Sequence, residues 1–170
     1  GMGRAIYFAN VLGLDMGMFY KRRDYTQVVN GRNPIVAHEF LGTNVEGKDL
    51  LVIDDMISSG ESALEVAELL KSKKARRVFI ATTFGLFTSG FEQFDEAYEN
   101  GIIDKVLTTY LIYQSPELLK RPWYLSCGMS KYIAYLIDTL NHDTSIGDLL
   151  NPSERIQAIV NEYNLKQQNK

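Results

Sequence analysis

From Asp49 onward the chain alternates between strand-like and helix-like stretches, and this order restricts the fold more than any other feature. Leu50, Leu51, Val52 and Ile53 form an apolar run that ends in Asp54 and Asp55. A turn of small residues follows. Ala63, Val66, Ala67 and Leu70 then fall at i, i+3, i+4 and i+7, which places four apolar side chains on one helix face. Residues 77–83 read as a second buried strand, 91–100 as a helix stopped by Gly101, and 105–110 as a third strand. Strand-then-helix order predicts an α/β fold: a mostly parallel twisted sheet with helices on both faces, because each parallel crossover lays a helix on the sheet.

The flanking stretches are less regular. Ala5, Phe8, Ala9 and Leu12 repeat the helical spacing, with Gly13 where a left-handed cap belongs. Residues 16–20 are consistent with a short buried strand. Residues 21–38 carry Lys21, Arg22, Arg23 and Arg32, with turn signals at Asn30-Gly31 and Asn33-Pro34, and read as a long mobile loop or a loose β-ribbon. A connection of that length inside a domain is more often functional than not. Pro116 and Pro122 bracket an irregular crossing, and Cys127 is placed at the start of a helix marked by Ile133, Leu136, Ile137 and Leu140. A shorter helix follows Asn151-Pro152, so residues 1–160 form one domain and 161–170 a polar flexible tail.

Composition narrows the function. A chain of 170 residues, 45% of them hydrophobic, suits one core. Eighteen basic against twenty-one acidic residues give a net charge of −3, which argues against a surface built for nucleic acid and makes any anion site local. No apolar run approaches the roughly 20 residues of a membrane span. The single Cys127 cannot form an internal disulfide, and with His38 and His142 it is too little for a zinc cage, so no metal ligand is assigned and a cytoplasmic setting is expected. Gly1 before Met2 reads as a residue left by tag removal.

In an open parallel sheet, ligands bind beyond the carboxyl ends of the strands, which directs attention to the turn after Ile53. Ser58, Ser59, Gly60, Glu61 and Ser62 can present backbone N–H groups and hydroxyls at the positive end of a helix, a cradle for phosphate. Asp54 and Asp55 at its edge suit neighbouring hydroxyls. Together they fit a phosphorylated sugar. A plainer reading is that Ser62-x-x-Glu65 is a capping box, and the two are compatible. Neither the P-loop pattern nor the dinucleotide fingerprint occurs.

The stretch Val52-Ile53-Asp54-Asp55-Met56-Ile57-Ser58-Ser59-Gly60-Glu61-Ser62 resembles the phosphoribosyl diphosphate (PRPP) motif of the phosphoribosyltransferase fold. Lys21-Arg22-Arg23, Val45-Glu46-Gly47-Lys48 and Thr82-Thr83-Phe84-Gly85-Leu86-Phe87 with Ser89-Gly90 are similar, in that order, to segments of ribose-phosphate diphosphokinases (PRPP synthetases). Residues 145–150 resemble the Ser-x-x-x-Leu-Phe end of that family. The resemblance implies the C-terminal, type I phosphoribosyltransferase-fold domain of such an enzyme, which converts ATP and ribose 5-phosphate to PRPP and AMP. It implies that Asp54 and Asp55 accept bonds from the ribose hydroxyls and that Ser58, Ser59, Gly60, Glu61 and Ser62 hold the 5-phosphate. Lys21 and Arg23 would be catalytic, stabilising charge on the ATP polyphosphate. Mg2+ would come with ATP on ligands outside this chain, and a homo-oligomer is implied. The sequence departs from the pattern in carrying Glu61 where Gly is common and Phe84 in place of His. The family's first domain, and its Ser-Pro-Asp-x-Gly-Gly segment, have no counterpart here, so the chain is expected to be half of a longer enzyme and inactive by itself. A free-standing phosphoribosyltransferase using PRPP and a non-catalytic PRPP-binding regulator are the alternatives.

Overall fold

The computed structural model describes residues 2–23 and 35–168. Helix α1 (Met2–Leu12) ends on Gly13 at φ +64°. β1 (Met18–Arg23) and β2 (Ile35–Leu41) pair antiparallel. There follow β3 (Asp49–Ile57), α2 (Glu61–Ser72), β4 (Arg77–Gly85), α3 (Glu92–Glu99), β5 (Lys105–Thr109), α4 (Pro116–Leu119) and β6 (Tyr124–Cys127). α5 (Ser130–Asn141), α6 (Gly147–Leu150) and α7 (Ser153–Gln168) complete the order. β3, β4, β5 and β6 form a parallel sheet in that spatial order, flanked by helices, as the alternation predicts.

The register aligns chemistry across the sheet. Val52, Ile80, Val106 and Tyr124 stand side by side, and two residues on so do Asp54, Thr82, Thr108 and Ser126. The first row is core: Ile80 and Val106, like Val78 two residues before Ile80 on β4, are completely buried and cluster with Leu64, Ala67 and Leu70 of α2 and Phe94 and Ala97 of α3. Phe87 gathers the aromatic part of this core, with ring centroids 5.1 Å from Phe94 and 5.9 Å from Trp123. On the opposite face Leu51 and Leu125 stay 48% and 46% exposed.

Four expectations are corrected. The crossing between Pro116 and Pro122 contains α4, and β6 follows it, so Cys127 ends a strand and the next helix starts only at Ser130. A four-residue strand is too short to show a period, and its pairing with β5 together with the buried Trp123 decides it. Residues 161–168 continue α7, helped by the Lys166–Glu162 ion pair at 2.6 Å one turn apart, where a flexible tail was expected. The strand expected over residues 16–20 begins at Met18 and, among the described residues, pairs with β2 alone, outside the main sheet. The loose-ribbon reading of residues 21–38 holds for the paired ends, while residues 24–34 lie outside the described set. β3 also continues through Asp54 and Asp55, which were expected after the strand.

At the amino end of the sheet Arg76 grips Asp49 with two bonds of 2.7 Å, and Arg77 adds one of 2.5 Å. These guanidiniums hold the Asp49 carboxyl far below its ordinary value of 3.8. A depressed native pKa stabilises the fold above the unfolded value and loses that contribution as pH falls through the native one. Asp49→Asn should therefore lower the melting temperature at neutral pH, with a gap to the parent protein that closes only below pH 3.8. Thermal melts across the acid range check this, and a gap independent of pH would assign the loss to something other than charge.

Candidate functional site

Adjacent residues of a flat strand point to opposite faces, so two consecutive acids cannot ordinarily serve one ligand. β3 resolves this by losing its alternation. Leu50 and Val52 pack against the core, but the next core residue is Ile57, 2% exposed, and Asp54, Asp55 and Met56 between them are all exposed. β4 shows the same change of phase, with Val78, Ile80 and Thr82 buried and then Gly85. The acids are thus both exposed, next to each other near the carboxyl end of β3. Asp54 Oδ1 accepts the Asp55 N–H at 2.9 Å. Hydrogen bonding with the Asp54 side chain, then with the Asp55 backbone, holds the Asp55 carboxyl below its ordinary 3.8, and the charge of Arg4 on α1 adds to this.

The loop after Ile57 is stitched down by the segment after β4. Leu86 N–H donates to the Ile57 carbonyl at 2.8 Å and Thr88 N–H to the Ser58 carbonyl at 2.9 Å. Gln93 Nε2 donates to the Ser59 carbonyl at 2.5 Å. The chain turns at Gly60, φ +103°, the N-cap of α2. A Cβ there would lie 2.4 Å from Cε2 of Phe94, so both conformation and space call for glycine.

This arrangement corrects the capping box. A capping side chain must come from the N-cap residue, which is Gly60, while Ser62 is already helical and forms no cap. The first-turn amides of α2 are left uncapped, with only a long 3.5 Å bond from Glu61 N–H to Ser59 Oγ. Uncapped amides at the positive end of a twelve-residue helix suit an anion. Ser58 and Ser62 are exposed and Ser59 is half-buried. Glu61 also lines the groove between α2 and α3, beside Glu65, Gln93 and Glu96.

The structure therefore brings Asp54, Asp55, Ser58, Ser59, Gly60, Glu61 and Ser62 together at one strand-to-helix corner. Lys21 and Arg23 are placed by backbone only, opposite His38 and Ile35 in the ribbon, and their side chains lie outside the described set. Sequence reading missed Gln93 and Phe94, the supports beneath the loop. No local signal marks them, because their partners are more than thirty residues away in the chain. Among the described residues no group of three or more His, Cys, Asp or Glu side chains is placed to hold a metal ion.

A sequence model of the family described as the phosphoribosyl transferase domain matches residues 1–100. The chain belongs to that family. The chain is 30% identical over 152 residues to a ribose-phosphate pyrophosphokinase of Vibrio parahaemolyticus, covering 89% of this chain and 45% of that one. A ribose-phosphate pyrophosphokinase of Shewanella oneidensis is 33% identical over 147 residues, 86% of this chain and 44% of that one. The fold matches the crystal structure of phosphoribosylpyrophosphate synthetase from Mycobacterium smegmatis with a TM-score of 0.67 at 20% identity, over 83% of this chain and 43% of that one. The chain thus spans somewhat less than half the length of these relatives. In the phosphoribosyl transferase domain, the corner at Gly60 is the part whose geometry suits a phosphorylated ligand.

Proposed function

We propose that this domain binds ribose 5-phosphate at the β3–α2 corner and supplies that half of a ribose-phosphate diphosphokinase, making PRPP and AMP from ATP and ribose 5-phosphate. One observation carries the reading: two exposed carboxylates near the carboxyl end of β3 run directly into an uncapped helix N-terminus. Carboxylates accept bonds from vicinal hydroxyls but repel phosphate, whereas helix amides attract it, so the pair selects a sugar phosphate in one orientation. That orientation directs the sugar's 1-hydroxyl away from the 5-phosphate. Its oxygen attacks the β-phosphorus of ATP and gives up its proton to solvent, the bond from that phosphorus to the oxygen bridging it to the α-phosphate breaks, and AMP leaves. Lys21 and Arg23, carried by the β1–β2 ribbon, stabilise the charge that develops on the transferred group. Mg2+, which usually takes few carboxylates and relies on substrate phosphates, arrives with ATP. A cytoplasmic setting suits the one unpaired thiol, Cys127.

Calorimetry with ribose 5-phosphate and inorganic phosphate tests the assignment. Asp54→Asn and Asp55→Asn should each weaken ribose 5-phosphate by roughly tenfold, through loss of a charge-assisted bond to a hydroxyl, and leave inorganic phosphate unchanged. Undiminished ribose 5-phosphate binding in both variants would refute the acids' role. Release of diphosphate from PRPP in the presence of a nucleobase would point to a free-standing transferase instead.

A further inference from the structure

We propose that Gly17 and Gly42, crossing beneath the ring of Phe40, form the pivot that sets the direction of the β1–β2 ribbon and act as positioning residues for Lys21 and Arg23. The crossing itself is independent of the proposed function; what the ribbon carries to the site rests on that reading.

Neither glycine is in the left-handed region, so conformation does not require them. Space does. A Cβ on Gly42 would lie 2.8 Å from Cα of Gly17 and 2.8 Å from Cζ of Phe40, so the two legs of the ribbon touch backbone to backbone at this point. A Cβ on Gly17 would lie 2.4 and 2.6 Å from Cζ and Cε2 of Phe40. Phe40 in turn is fixed. It pairs with Phe19 across the ladder, ring centroids 5.1 Å apart, both rings pack on the core, and Lys73 Nζ stands 5.9 Å from the Phe40 centroid. Just outside the crossing Asp15 accepts bonds from Thr43 Oγ1 and Lys48 Nζ, each 3.4 Å. The legs are therefore held at their base by ring packing and an ion pair, and beyond it, among the described residues, β1 and β2 pair as strands with each other and not with the main sheet.

A ribbon held at its base acts as a lever on the positions further along it. Lys21 lies four residues and Arg23 six residues from Gly17, or about 13 and 20 Å at roughly 3.3 Å per residue. A swing of about 10° at the crossing moves those positions by roughly 2 and 3.5 Å, and a misplacement of about 1 Å can cost a hundredfold in rate.

Pulsed EPR distances between nitroxides at positions 21 and 68 (Lys21→Cys, Glu68→Cys, with Cys127→Ser) test the pivot. Gly17→Ala should shift or broaden the distance by about 2 Å. Adding Phe40→Leu, which vacates the space that the new methyl needs, should restore it. Gly42→Ala, which also strikes the backbone of Gly17, should not be restored. Unchanged distances in both glycine variants would overturn the pivot, and so would a Gly17→Ala shift that Phe40→Leu leaves in place. If Gly17→Ala does not fold, Phe40→Leu alone decides: a broader distribution supports the pivot and an unchanged one overturns it. Without labels, Gly17→Ala should weaken ATP by roughly threefold in the presence of ribose 5-phosphate while ribose 5-phosphate binding holds. Equal loss of both ligands would mean a merely structural role and overturn the positioning claim. A parent chain that binds no ribose 5-phosphate would count against the proposed function, while the distances still judge the pivot.

Discussion

Gly60→Ala should both destabilise the domain and remove its affinity for ribose 5-phosphate. At φ +103° an alanine side chain crowds its own backbone, at about 1–2 kcal/mol. Its Cβ would also sit 2.4 Å from Phe94, and such overpacking adds about 1–3 kcal/mol. Phe94 cannot yield, because it is fully buried between Phe87 at 5.1 Å and the Trp123 ring stacked at 5.3 Å. The loop must therefore move, and the uncapped amides of α2 move with it. A fall in melting temperature with at least roughly tenfold weaker ribose 5-phosphate binding is the expected pair of results. Pairing Gly60→Ala with Phe94→Leu should recover part of the packing loss and none of the backbone cost. Unchanged ligand affinity in Gly60→Ala would show that the cradle lies elsewhere.

Trp123→Ala should cost about 3–5 kcal/mol of stability. The indole is 0% exposed, stacks on Phe94 and lies 5.9 Å from both Phe87 and Tyr124. It is also polar at one edge: its N–H donates to Asp95 Oδ1 at 2.7 Å, and Arg121 stands 3.2 Å from the same carboxylate. Trp123→Phe keeps most of the ring and drops only that bond, so a smaller loss of about 1–3 kcal/mol is expected. Urea denaturation followed by circular dichroism separates the two variants. A Trp123→Ala protein within about 1 kcal/mol of the parent would place the indole outside the core.

Local patterns make most of the fold legible in the sequence. Ala63, Val66, Ala67 and Leu70 mark α2 because helical spacing is a property of neighbouring residues; of these Ala67 and Leu70 are buried and Ala63 and Val66 half-buried, while Leu64, outside that pattern, is buried too. β6 escaped notice because four residues carry no period and its strand character comes from pairing with β5. The full length of α7 is not legible for a related reason: its apolar residues Ile156, Ile159, Val160 and Tyr163 are not buried, its last turns are polar, and it is held by the Glu162–Lys166 pair and by lying against α1, where Tyr7 and Ser153 hydroxyls meet at 3.2 Å. At the site, the acids and serines could be read directly. The capping box could not be judged, since a Ser-x-x-Glu pattern looks the same whether the serine precedes the helix or lies within it.

The sequence by itself determined the order of strands and helices and the chemical groups at the corner: Asp54, Asp55, three serines and Gly60 within nine residues. Only the tertiary structure decided how those groups face a ligand. The change of phase that exposes both acids is shared by β3 and β4, and the left-handed turn at Gly60 is packed against a phenylalanine 34 residues further on. The Gly17–Gly42 crossing likewise joins positions 25 residues apart. Periodicity and side-chain chemistry are local and therefore written along the chain. Close approach between distant segments depends on the packed whole, which no window of residues contains.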